Sequence, residues 1–369
     1  MLDRRLIQNF DWVLFLIILL LACISITNMY SATYALSKAG SKIFKRHICW
    51  YGLAFLVFFL TLFFDYKNLS KWAYHIYILS VFLLILVLVW GKISSGSQRW
   101  FRIGFISFQP SEFAKISVAI LISHILSEMP QKKDRYTLRE LWKIFLFTGI
   151  PFALILKEPD LGTALIILIS SGTTTLLAGI KRSSLFILII SVLMLTPIVW
   201  THLKDYQKKR VLTFINPNLD PLGAGYHITQ SKIAIGSGML FGKGFLKGSQ
   251  SRLRFLPEQH TDFIFSVFAE ERGFVGSFFL IFLYCLLILK GLNIAKNSRD
   301  KFGFYLAVSI SVLLFWQIFI NIGMVSGILP VVGTPLLLMS YGGSSLIFTM
   351  ISVGILINIR MRRYMFNGV

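Results

Sequence analysis

The stretch WVLFLIILLLACISI, residues 12–26, contains no charged side chain, and ILSVFLLILVLVW, residues 78–90, repeats the pattern. Runs of this kind approach the roughly 20 apolar residues that cross a bilayer as a helix. In hydrocarbon every backbone N–H and C=O must be paired within the protein, so only helices and closed barrels span. Barrel strands alternate apolar and polar residues. These runs are apolar on every side, so the spans are helices. The whole chain agrees: of 369 residues 56% are hydrophobic, 15% aromatic and only 14% charged. The sequence predicts an all-α polytopic membrane protein, folded as one domain over 1–369.

Ten spans are expected, near 12–30, 47–64, 72–90, 112–128, 142–157, 161–179, 184–201, 263–289, 302–325 and 335–358. An even number puts both termini on one side. The short connections on that side, including DRR, PQKKDRYTLRELWK and RMRR, hold 18 of the 37 Lys and Arg. Short loops rich in Lys and Arg stay inside, so both termini are expected in the cytoplasm. The net charge of +21 therefore reads as a set of topology signals, and nucleic acid is not expected as a partner. Cys23, Cys49 and Cys285 suggest neither a disulfide framework nor a metal-ligand spacing. Arg4, Arg5 and the later LLAC imitate a lipoprotein leader, but the apolar run continues past Cys23 and reads as an uncleaved first helix.

The one long connection, 202–262, is expected on the outer side, ordered by its own apolar and aromatic residues. It carries nine Lys and Arg, Arg210 among them, against four Asp and Glu. That excess is either an ordinary solvated face or a surface for an anionic ligand. Its end, LPEQHTDFIF, places Glu258, His260 and Asp262 at the threshold of the eighth span. Asp262 there is either a helix cap or a general base, and capping leaves Glu258, His260 and the deeper AEERG, residues 269–273, unexplained.

Three further motifs sit at outer helix ends. In QPSEFAK, Pro110 suits a helix start, Ser111 can cap, and Glu112 favours the positive helix end. Lys115 lies three residues on, so it shares a face with Glu112; it either snorkels or enters a buried polar site. KEPDLGT, residues 157–163, packs Lys157, Glu158 and Asp160 into a tight turn where Asp160 either caps or works. GILPVVGTPLLLMSYGGSS, residues 327–345, reads as a kink and close-packing device. Trp100 and Arg102 of the second outer loop join Arg210, Glu258, His260 and Lys157 as candidate substrate contacts.

With QPSEFAK, EPDLGT, FINPNLDPLGAGYHITQSKIAIGSG, GKGFLKGSQSRLRFLPEQHTDFIF and SYGGSS in these places, nearly the whole chain resembles the SEDS family (shape, elongation, division and sporulation). DPLGAGYH and KGSQS resemble its elongation branch more than its division branch. The resemblance implies a peptidoglycan glycosyltransferase of the bacterial cytoplasmic membrane. It would polymerise lipid II, an undecaprenyl-pyrophosphate-linked disaccharide-pentapeptide, in cell elongation and rod-shape maintenance. The implied partners are a class B penicillin-binding protein, a PBP2-type transpeptidase, and the elongation machinery. The family's essential aspartate matches Asp262, and its other sensitive polar positions match Glu112, Lys115 and Asp160. The sequence itself requires no cofactor; the leaving diphosphate would be met by Lys115, Arg210 or a divalent cation such as Mg²⁺ or Mn²⁺. Two residues depart from the family pattern: Glu158 stands where glutamine is usual, and Arg272 stands for leucine, where it is expected to pair with Glu270 or Glu271. A lipid II flippase and a non-catalytic scaffold for the transpeptidase are the rival functions.

Overall fold

The Asp11 carboxylate accepts the backbone N–H of Leu14 at 3.0 Å and so starts the first helix, α1, Trp12–Tyr34. The computed structural model describes residues 8–94, 97–103, 106–130, 135–202, 205–216, 219–220, 223–256 and 258–363. Arg4, Arg5, Lys132, Lys133 and Lys204, all counted among the charges above, lie outside them. After α1 come α2 (Ser37–Phe63), α3 (Tyr66–Lys71) and α4 (Ala73–Trp90), then strands β1 (Lys92–Ser94), β2 (Ser97–Ile103) and β3 (Ile106–Phe108). Helices α5 (Pro110–Glu128), α6 (Trp142–Lys157), α7 (Leu161–Gly179) and α8 (Arg182–His202) follow. The outer loop folds as α9 (Asp205–Ile215), α10 (Ala224–Ser237) and α11 (Ser249–Arg252), before α12 (Ile264–Lys296), α13 (Lys301–Val325) and α14 (Gly343–Met361).

A helix occupies each of the ten expected positions. Among the described residues seven of them, α1, α2, α4, α7, α12, α13 and α14, are long and apolar enough to cross a membrane. The other three differ for visible reasons. α5 carries Glu112 and Lys115 and is buried on nearly every face, α6 has 16 residues, and in α8 the fully described apolar stretch is Arg182–Ser191. The centre of the bundle is α13 with α5, α12 and α14 around it, and α2 seats on α14. Close approach there depends on a missing Cβ: one added to Gly343 would lie 2.3 Å from the Trp50 ring.

Four boundaries depart from expectation. α2 begins at Ser37 rather than 47, because the basic segment SKAGSKIFKR continues the helix outward beyond its apolar part. The second outer loop is not irregular: β1, β2 and β3 pair antiparallel in that order. The last span begins at Gly343 rather than 335. Residues 327–342 instead form an irregular segment that re-enters the bundle, where Tyr51 Oη donates to Leu338 O, Tyr284 Oη donates to Leu337 O at 2.6 Å and Ser25 Oγ donates to Met339 O at 3.3 Å. Such backbone is tolerated at membrane depth because these side chains pair its carbonyls.

The fourth departure is the largest. The expected eighth span is not one rod, because Gly273 interrupts α12 with φ 64° and ψ −161°. Tyr284 binds Leu337 O while Thr261 O accepts Ser340 Oγ at 2.5 Å. The re-entrant segment thus touches both sides of the break, and the short arm 264–272 meets the long arm 274–296 at the Gly273 kink. Residues 239–244 pair the backbone groups opened by this turn. Phe274 N and Val275 N donate to Met239 O and Leu240 O at 2.8 and 3.0 Å, and Lys243 N and Gly244 N donate to Glu270 O and Glu271 O, both at 3.0 Å.

Gly273→Ala is expected to be destabilising. Its Cβ would lie 2.3 Å from Gly242 N, in a left-handed conformation that side chains disfavour. The cost should be about 2–3 kcal/mol, or several degrees of Tm. Gly52→Ala, with no atom within 4 Å of the new methyl, should leave Tm unchanged in the same detergent melt.

Candidate functional site

The turn between α6 and α7 is built around Asp160. Its carboxylate caps α7, accepting Thr163 N at 3.2 Å and Thr163 Oγ1 at 3.0 Å. Capping uses only part of it. Gln109 Nε2 donates to Oδ2, the oxygen that also accepts Thr163 Oγ1, at 3.2 Å, and Arg99 stands 3.7 Å from Oδ1. Arg99 also donates to Glu158 O at 3.0 Å and to Pro159 O at 2.5 Å, closing the end of α6. Through these contacts the β-hairpin, the start of α5 and the α6–α7 turn meet at one carboxylate.

Asp262 stands opposite, and it is not a cap. The N-cap of α12 is Phe263, with no side chain capping it. Asp262 is held by its backbone: Asn321 Nδ2 donates to Asp262 O at 3.0 Å and to Thr334 O at 2.6 Å. Thr261 O and His260 O accept Ser340 Oγ and Tyr341 N, so residues 260–262 lie along the re-entrant segment. The carboxylate is left half-buried beside Gly333. Burial, then Glu258 and Asp160, push its pKa up to about 6, while Arg210 and Arg99 pull it down. The same five groups therefore share one electrostatic field: Asp262, Asp160, Glu258, Arg99 and Arg210.

Glu112 and Lys115 lie one helical turn deeper. Lys115 Nζ donates to Glu112 Oε1 and to Gln317 Oε1, each at 2.8 Å, and both ionised side chains are almost fully buried. Gln317 and Asn321 are four residues apart on one face of α13. Gln317 Nε2 reaches Pro335 O at 3.4 Å, next to the Thr334 carbonyl bound by Asn321. A continuous polar line thus runs from Glu112 to Asp262. The cavity against Lys115 measures about 10 Å³. Ser111 does not cap: Gln109 holds the N-cap position of α5, and the Ser111 hydroxyl is buried without a partner.

The remaining sequence candidates separate. His260 is half-buried near the Tyr341 ring, its pKa lowered by burial against the opposing pull of Glu258. Glu258 is exposed and accepts Thr261 Oγ1 at 3.0 Å. Lys157 is not part of the cluster: it is exposed at the end of α6, with no ion pair among the described residues. Trp100 and Arg102 share one strand face, and period two puts Arg99 on the other; the Arg102 side chain lies outside what is described. Arg272 pairs with neither neighbouring glutamate. Glu270 takes Lys243 at 2.7 Å, Glu271 takes Ser31, and the Arg272 guanidinium lies 5.7 Å from the Phe245 ring. Sequence reasoning missed Arg99, Gln317 and Asn321. Arg99 was findable from the alternation of β2; the two amides, inside an apolar span, were the other available signal.

A polytopic bundle with its polar cluster gathered at one end of the helices defines the class of protein. Residues 10–365 match the profile of the FtsW/RodA/SpoVE cell cycle proteins, and the chain belongs to this family, the SEDS family. It is 43% identical to the peptidoglycan glycosyltransferase MrdB of Escherichia coli K12 over 343 residues, 91% of each chain. It is 38% identical to MrdB of Helicobacter pylori 26695, over 99% of this chain and 93% of that one. A chain in a structure on the coordination of polymerization and crosslinking by a peptidoglycan synthase complex superposes with a TM-score of 0.82 at 31% identity, covering 96% of this chain and 98% of that one. The rod shape determining protein RodA of Thermus thermophilus gives 0.72 at 29%, covering 96% and 98%.

Glu158 supplies a test of the turn. It is fully buried, neither carboxyl oxygen has a partner, and burial followed by Asp160 pushes its pKa up to about 9 despite Arg99. The unfolded chain releases this proton near 4.5 and the folded chain near 9. Stability from this group is thus complete below the lower value and declines as pH rises toward the upper one. Glu158→Gln is expected to flatten the fall of Tm across that window and to raise Tm at its alkaline end, as read from melts at a series of pH values.

Proposed function

We propose that this chain polymerises lipid II into glycan strands as a peptidoglycan glycosyltransferase, in the bacterial cytoplasmic membrane during cell elongation, with both termini cytoplasmic. The observation that carries the mechanism is the Asp262 carboxylate: half-buried, free of capping duty, and acted on by two arginines. The donor is the growing chain's terminal sugar on its polyprenyl diphosphate. The 4-hydroxyl of a second lipid II attacks the anomeric carbon. The new C–O bond forms, the bond to the diphosphate oxygen breaks, and Asp262 takes the hydroxyl proton. A diphosphate leaves readily, so a base matters more than an acid. General-base help of this kind is worth about 10²–10⁴-fold.

The leaving charge is assigned to Arg210, supported by Arg99, whose guanidiniums already act on Asp262. Lys115 is assigned a positioning role, because both its strong acceptors are protein groups in a buried place. Asp160 is a positioning residue for Arg99 and Gln109. Among the described residues no three acidic, His or Cys side chains form a metal-binding cluster, so no step is routed through a divalent cation. The partner is a class B penicillin-binding protein that cross-links the peptides; the likeness to a chain of a peptidoglycan synthase complex supports it. A flippase would need a polar path continuing inward. The space beside Lys115, about 10 Å³, is at the lower limit for a single water and far too small for a headgroup, which favours chemistry at the outer face.

Asp262→Asn in purified protein should lower glycan product from lipid II by about 10²-fold or more, at unchanged protein level and with no other polymerase present. Full polymerisation would remove Asp262 from the role. The wild-type rate should fall as pH drops below about 6, because the base is then protonated. Glu258→Gln removes a like charge, so Asp262 loses its proton more readily and the acid limb should move to lower pH.

A further inference from the structure

Phe274–Leu289 is uncharged, and Lys290 follows. These 16 residues cover about 24 Å, less than the roughly 30 Å hydrocarbon core. The hydrocarbon must therefore begin at the turn of α12 itself and include Phe274 and Val275, which are 63% and 52% exposed. Their N–H groups bind the carbonyls of Met239 and Leu240, so that piece of the outer loop lies at the same depth. Met239, Leu240 and Phe241 are 81%, 61% and 80% exposed, and no large apolar side chain among the described residues is more exposed than Met239. Water is a poor medium for such a tip. Two exposed cations flank it along the chain, Arg272, which lies over Phe245, and Lys247.

We propose that residues 239–247 form a membrane wedge: Met239, Leu240 and Phe241 seat among the acyl chains of the outer leaflet, and Arg272 and Lys247 hold the phosphates of anionic phospholipid. Apolar residues flanked by cations are the arrangement of an interfacial segment. Lipid is the occupant because Phe274 and Phe278, one turn apart on the long arm, are exposed along a membrane-spanning surface and the wedge continues it. The wedge also accounts for a cation at position 272, which forms no ion pair among the described residues and acts on Glu271 only at a distance. It stands whether or not Asp262 is the general base.

The test is spin-label accessibility in the full chain carrying Cys23→Ser, Cys49→Ser and Cys285→Ser, reconstituted in phosphatidylcholine vesicles containing phosphatidylglycerol. Phe241→Cys carries the label, with Phe278→Cys as lipid reference and Lys209→Cys as aqueous reference. The ratio of oxygen to aqueous nickel accessibility at 241 should match 278 within about twofold and exceed 209 by about tenfold. A ratio like that at 209 overturns the wedge. A label shielded from both reagents also overturns it, because protein then covers the tip. Omitting phosphatidylglycerol should lower the ratio at 241, and Arg272→Leu with Lys247→Gln should abolish that dependence. Indifference to phosphatidylglycerol in the parent chain would overturn the phosphate-binding part.

Discussion

One side-chain amide joins the parts of this protein that matter most to it. Asn321 donates to Asp262 O and to Thr334 O, and so fixes the end of the outer loop and the re-entrant segment to α13. Neither segment has regular hydrogen bonding of its own at that place, and the bilayer offers none. The same helix face repeats the device one turn deeper, where Gln317 ties Lys115 to Pro335 O. Two amides therefore decide where a carboxylate and a buried ion pair can lie. Each amide leaves room for little else: the Asn321 amide oxygen is buried without a partner among the described residues.

Charge is arranged around this scaffold with unequal freedom. Asp160 is committed to a helix end, a glutamine and an arginine, and Glu112 to a lysine. Asp262 is committed by its backbone alone, and its carboxylate keeps its valence for a ligand. Three acids of one sign near one another would repel, and the arginines on β2 and α9 offset that repulsion without neutralising Asp262. Fixed neighbours and one unengaged carboxylate are what a general base requires.

Much of this was readable in the chain. Ten apolar runs announced ten helices because hydrocarbon demands uninterrupted apolar faces, and the motifs at the outer helix ends marked where polar groups collect. The turn at Gly273 was not readable. AEERGFVG looks like the continuation of a helix, and only a tertiary partner, residues 239–244, makes a break affordable there. The last span was misplaced for a related reason: VVGTPLLLM is apolar enough for a helix, and side chains from Tyr51, Tyr284 and Asn321 are needed to hold it open. Lys157, Trp100 and Arg102 were chosen by residue type near the right motifs; strand alternation sets Arg99 on the opposite strand face, where it meets the turn between α6 and α7.

The short arm of α12 has a mechanical consequence. Nine helical residues make a stiff rod about 13 Å long, with the residue after Asp262 near one end and the clamp of residues 239–244 at the other. A rod held at both ends transmits displacement rather than absorbing it. A lateral push on the clamp, from curvature or tension in the surrounding sheet of lipid, would arrive at the carboxylate as a change of height. The carboxylate proposed as the base is in this sense suspended from the membrane surface.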